Sequence, residues 1–194
     1  MRNSAEDVVK TAIGILDEYG LPDLSMRRLA TALGVQPSAL YWHFESKQAL
    51  LAAMATEIVA RGHRRPLGGD AAWDVATLAA ANELRDSLLA YRDGAELVAT
   101  AYAFGLGGHE ARERLAAAIA GGGFDPVFSV AAAAAILHFV FGYVSSEQQH
   151  MQASSLGAAG LAAASPGSFD IGLSLIVDGI RQRRPATVRR AAVR

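Results

Sequence analysis

The residues with chemistry to offer gather between Ser25 and Lys47. Arg27, Arg28 and Lys47 supply positive charge in a chain whose net charge is −1, so any grip on a polyanion must come from such local groups and not from a global field. Between them, Gln36, Ser38 and Ala39 present small groups able to approach base edges. A guanidinium reading a guanine edge is the commonest specific protein–DNA contact, worth roughly 1–3 kcal/mol of discrimination. Elsewhere the chemistry thins out. Glu147-x-x-His150 has the i, i+3 spacing of one half of a di-iron pair, but the second pair and two further glutamates are missing, which leaves a solvated helix end. His138 and His150 point in different directions, and there is no cysteine. Gly105-Leu106-Gly107-Gly108 lacks the Lys-Ser/Thr of a P-loop, and no nucleophile elbow occurs. Arg112 and Glu113 read as ordinary surface charges. Catalysis, a metal centre and a cofactor are therefore not expected.

The basic stretch sits on a recognisable frame. Ser25 is suited to cap a helix, and Leu29, Ala30 and Leu33 form its apolar stripe. Gly34 can turn left-handed and Val35 crosses the turn; Pro37, near a first helical turn, opens a second helix completed by Ala39 through Phe44. Two short helices joined by a glycine turn make a helix-turn-helix, whose second helix can enter a major groove. Leu40 and Phe44 read as core, and Trp42 is divided between packing and a backbone contact. Upstream, Ser4-x-x-Asp7 starts a helix with Val8, Val9, Ala12, Ile13, Leu16 and Tyr19 on one face and Gly20 at its end. Downstream, Ser46 can cap a fourth helix carrying Leu50, Leu51, Met54, Ile58 and Val59 to Arg61-Gly62. The break at 64–70 is the best domain boundary, so this fourth helix is the mechanical link.

Alanine abundance and recurrent helical spacing predict an all-α fold. Helices are expected over 71–91 (Trp73, Leu78, Leu84, Leu88 and Leu89 inward), after Asp93, over 109–120 with Arg112, Glu113 and Arg114 exposed, from Phe124 to Gln152, and from Phe169 to Arg181. The organisation is then a helix-turn-helix domain over 1–46, a connecting helix over 47–63, a larger helical domain over 64–184 and an Arg-rich tail over 185–194. The stretch 126–146 has no charge and is long enough to span a membrane. Its five consecutive alanines, His138 and the lack of N-terminal anchors favour burial by a second subunit, with Val140 and Ile176 as candidate seam positions. Charged residues at the start of the chain do not suit a signal peptide, and a cytoplasmic location is the plain expectation.

LATALGVQPSALYWHFESKQALL resembles the DNA-binding domain of the tetracycline-repressor (TetR) family, and the blocks 91–100, 122–124 and 137–150 resemble the ligand-binding half of its tetracycline-repressor subgroup. The resemblance implies a homodimer on palindromic operator DNA. It implies Arg27 as a base contact, with Tyr41, His43 and Lys47 on phosphates; Arg28, Gln36, Ser38, Ala39 and Trp42 complete the candidate interface. Met26 stands where those repressors carry a hydroxyl. Their drug is held with magnesium by two histidines and a glutamate. One histidine place is His138, but the others fall on Val98 and Ser146, and the asparagine partner of a drug-contacting histidine, matched by His63, becomes Ala80. The implied pocket lining is His63, Leu84, Val98, Tyr102, Phe104, Leu115, His138 and Phe141, mostly apolar and aromatic, with no obligatory metal. The expected function is a ligand-responsive transcriptional regulator, a repressor released from DNA by a mostly apolar or aromatic small molecule, with His63 coupling the two sites. The alternative is a constitutive DNA-binding protein with no effector.

Overall fold

The computed structural model describes residues 3–62, 71–155, 157, 165 and 167–183. His63, the break at 64–70 and the tail at 185–194 lie outside the described residues. Among those described, every regular element is a helix: α1 Ala5–Tyr19, α2 Met26–Leu33, α3 Pro37–Leu40, α4 Lys47–Gly62, α5 Trp73–Leu89, α6 Gly94–Ala103, α7 His109–Ala120, α8 Pro126–Ser155 and α9 Ser168–Arg181.

The helix starts are set by local chemistry. Ser4 closes a full capping box with Asp7 at the head of α1, and the Ser4 backbone N–H and hydroxyl hold the Asp7 carboxyl below its ordinary value. Ser25 Oγ accepts from the Arg28 N–H at 3.2 Å. Gly34, at φ 66°, takes the left-handed conformation that ends α2, and Val35 N–H closes back on Ala30 at 3.0 Å. Regular helix in α3 ends sooner than predicted. After Leu40 the chain tightens, with both His43 N–H and Phe44 N–H donating to the Leu40 carbonyl at 3.0 Å.

α1 to α3 pack around Val8, Leu16, Leu29 and Leu40, and α4 leaves this group to pack on α5 and α6. Its last residue, Gly62, lies hard against α5. A Cβ there would overlap Ser87 Oγ and stand 2.8 Å from the Glu83 carbonyl oxygen. α8 packs on α5, α6, α7 and α9 with Ile136, Leu137, Val140 and Val144 inward.

Several expected placements are corrected. Tyr19, expected on the apolar face, is 42 % exposed, and Ile15 is buried in the core. Arg112 and Arg114, expected exposed, are half-buried. Glu147 is no solvated helix end; both its oxygens accept from Arg85 Nη2 at 3.0 Å, while Arg85 lies over the Phe169 ring. Val140, offered as a seam position, is buried within a single chain.

Candidate nucleic-acid interface and ligand site

The two short helices hold a set of side chains off the core. Leu29, Ala30 and Leu40 anchor them from beneath, each at most 1 % exposed. On the outer side, Arg27, Gln36, Ser38, Tyr41 and His43 are exposed, and Ala39 is half-buried. Trp42 is 87 % exposed, which removes the packing role considered for it. Among the described residues the Arg27 guanidinium has no hydrogen-bond or ionic partner. Its neighbour differs: Arg28 donates to Asp23 Oδ1 at 3.0 Å and sits 4.3 Å from the Tyr19 ring centroid. Tyr19's phenol is pushed above its ordinary value by a hydrogen bond with Glu18 and by that carboxylate's charge. Of the two adjacent arginines, Arg27 is thus the one available to a ligand. Lys47 opens α4, half-exposed, at the edge of the same surface.

A joint ties these short helices to the rest of the molecule. Asp93, at φ 55°, turns the chain between α5 and α6. It stands at the N-cap of α6, yet its side chain makes no capping bond. Its Oδ2 accepts instead from the Leu21 backbone N–H at 2.8 Å, and its Oδ1 from Gln152 Nε2. Beside it the Arg92 N–H donates to Asp17 Oδ1 at 3.2 Å. Gln148, buried in α8, donates to the Leu88 and Tyr91 carbonyls at 3.0 and 2.8 Å and accepts from the Ala95 N–H at 3.2 Å. One amide group thereby serves the end of α5 and the start of α6. No short-range pattern in the sequence points to these contacts, which span 53 to 75 residues.

Of the expected pocket lining, Leu84, Val98, Leu115 and Phe141 lie together in the core, at most 6 % exposed. Tyr102 is half-buried and His138 exposed at the edge of this group, their rings 6.3 Å apart. Phe104 stands apart at 69 % exposure, because it follows the last turn of α6 and faces outward. His63 falls outside the described residues. Among those described, no three His, Asp or Glu side chains gather in a way that holds a metal ion. The residue that sequence reasoning missed is Arg112, whose Nη1 donates to the Tyr102 hydroxyl at 3.4 Å. The signal available was its spacing from His109, three residues back on the same face of α7.

Residues 8–54 match the family model described as bacterial regulatory proteins, tetR family, and residues 65–164 match the tetracyclin repressor-like C-terminal domain. The tetracycline repressor protein class A from transposon 1721 of Escherichia coli is 34 % identical over 195 aligned positions, covering 91 % of this chain and 90 % of the relative. The chain belongs to the TetR family. Among solved structures, BioQ bound to its double-stranded DNA operator superposes on this TetR-family chain with a TM-score of 0.80 at 37 % identity, covering 93 % of this chain and 99 % of BioQ. A TetR variant from Acinetobacter baumannii in complex with minocycline follows at 0.76 and 29 %, covering 95 % and 99 %. As a TetR-family member the chain is a transcriptional regulator with a helix-turn-helix domain at its N-terminal end, and the all-α expectation holds.

Proposed function

We propose that this chain is a cytoplasmic, homodimeric repressor that binds a palindromic operator and leaves it when a mostly apolar or aromatic small molecule binds the larger domain. The proposed units are residues 1–46 for DNA, 47–63 as the connecting helix, 64–184 for ligand and dimer, and 185–194 as the tail. The observation that carries the reading is the exposed Arg27 guanidinium, without a partner among the described residues, beside an exposed Gln36, Ser38, Tyr41, Trp42 and His43, on a helix-turn-helix held by α4 against a second helical body. Arg27, Gln36, Ser38 and Ala39 read bases; Tyr41, Trp42, His43 and Lys47 hold phosphates. Arg28 braces the domain through Asp23 and Tyr19 and touches DNA only if it leaves them. Operator binding by BioQ and minocycline binding by the A. baumannii relative support the two halves of the reading.

The homodimer rests on α8. Its stretch of mean hydropathy 2.0 would by composition suit a membrane, yet it buries only one flank in the chain. The other flank runs Val127, Ala131, Ala135 and Gly142, and Ile171 and Leu175 stand exposed on α9. A second copy covers both. Ligand and DNA then oppose each other by favouring different spacings of the two reading helices. Footprinting the purified protein on DNA flanking its own gene tests the proposal. The expected footprint is an inverted repeat with half-sites about one helical turn apart. Uniform, sequence-blind protection sinks the operator reading, and a footprint that no small molecule disturbs returns the chain to the constitutive alternative.

A further inference from the structure

Four arginines among the described residues are half-buried: Arg28, Arg85, Arg112 and Arg114. Three face a carboxylate, Asp23 at 3.0 Å, Glu147 at 3.0 Å and Glu83 at 2.6 Å respectively. Arg112 faces none among the described residues. Its guanidinium carbon lies 5.9 Å from the Tyr102 ring centroid, and its one hydrogen bond there is the 3.4 Å contact to the phenol oxygen. A guanidinium taken partly out of water is best satisfied by an anion, since a long bond to a neutral hydroxyl restores little of the lost hydration.

The surroundings suit such an anion. Tyr102 is the hub of a ring cluster, with His109 at 5.5 Å, His138 at 6.3 Å and Phe141 at 6.0 Å between centroids. The members arrive from three helices: Tyr102 on α6, His109 and Arg112 on α7, His138 and Phe141 on α8. Inward of Tyr102 stand Phe141 and Val98, both buried; outward stands His138, exposed on α8. Three hydrogen-bond donors, His109, Arg112 and His138, thus stand partly or fully exposed around a ring whose other neighbours, Phe141 and Val98, are buried. An imidazole offers an N–H in either protonation state, so neither histidine need be charged to contribute. The arrangement complements a flat apolar body carrying one anionic end.

We propose that the effector is an aromatic carboxylic acid, its carboxylate held by Arg112 with His109 and His138 beside it and its ring against Tyr102 and Phe141. This rests on the effector-responsive reading above and adds the chemical class of the ligand and the residue that selects it. Two parallel N–H bonds from a guanidinium fix a carboxylate in orientation as well as in place. No cation is then required to bridge ligand and protein.

The probes are 1-naphthoate, phenylacetate and 4-hydroxybenzoate, each beside its primary amide, on the full-length chain, with melting temperature and operator release as readouts. At least one acid is expected to raise the melting temperature and release operator, its amide binding at least about tenfold more weakly. Arg112→Gln should lose at least about tenfold in acid affinity with operator binding in the absence of ligand unchanged, and Arg112→Lys should recover part of the loss. Equal binding of acid and amide overturns the proposal, as does a parent-like response of Arg112→Gln or silence from all three acids. Should Arg112→Gln melt too low to assay, the acid–amide comparison on the parent decides. Operator footprinting stands apart from every one of these outcomes, so the two readings fail separately.

Discussion

Arg27 and Lys47 differ in what surrounds them, and the roles proposed for them rest on that difference. Arg27 stands exposed on α2 with no partner among the described residues, beside the small side chains of α3. Lys47 begins α4, half-exposed, at the margin of the same surface, and its proposed partner is a phosphate. Arg27→Ala should therefore relax sequence preference at one operator position, by roughly 1–3 kcal/mol. Lys47→Ala should weaken binding to all sequences alike and flatten its salt dependence. Operator-variant titrations at two salt concentrations separate the two; equal loss of specificity from both contradicts the division. Gln148 gives a prediction for the larger domain. Gln148→Leu keeps the volume but takes the amide away from the Leu88 carbonyl and the Ala95 N–H, while the Tyr91 carbonyl keeps the Gly94 N–H at 3.0 Å, so the chain should lose about 1–3 kcal/mol per buried group left unpaired. Chemical denaturation measures it, and a variant as stable as the parent means that water has taken the amide's place.

At the scale of elements, α4 ends without room to spare. Because the clash at Gly62 is partly with the Glu83 carbonyl, a rotamer change in Ser87 cannot relieve it. Gly62→Ala should shift the end of α4 away from α5, cost about 1–3 kcal/mol of stability, and change operator affinity even though it touches no DNA. Parent-like melting and parent-like operator titration together refute that view of the contact. Elements themselves were legible because their signals act within one turn: Ser4, Ser25, Gly34 and Pro37 each do in the fold what their type and spacing foretold. The tetracycline-repressor resemblance was legible for the same reason, being carried by contiguous blocks. What escaped were side chains whose partners are far away in the chain. Arg112 and Glu147 both read as surface until a helix across a loop brings Tyr102 to the first and a helix 62 residues away brings Arg85 to the second, and Gln148 carried no signal at all before Leu88 and Tyr91 met it. Tyr19 failed differently: helical spacing places it inward, but its ring stands exposed beside the Arg28 guanidinium.

For the whole molecule, the proposed dimer rests on the exposed flank of α8 and α9. Leu175 is 68 % exposed and Val140 fully buried, so a charge should act oppositely at the two positions. Leu175→Glu is expected to give a folded monomer with weakened operator binding, and Val140→Glu to unfold the chain. Sedimentation with circular dichroism distinguishes them, and a Leu175→Glu protein that remains a folded dimer moves the interface elsewhere. The two halves of one chain, meanwhile, meet at Asp93, where a nearly buried carboxylate accepts the Leu21 amide from across the joint. That single proton is a built-in reporter. While the joint is closed, its exchange with heavy water should be slow; each time the reader swings free, it should exchange at the rate of an open loop. Its isotope clock, followed with operator and with an effector, would time the opening of the joint directly.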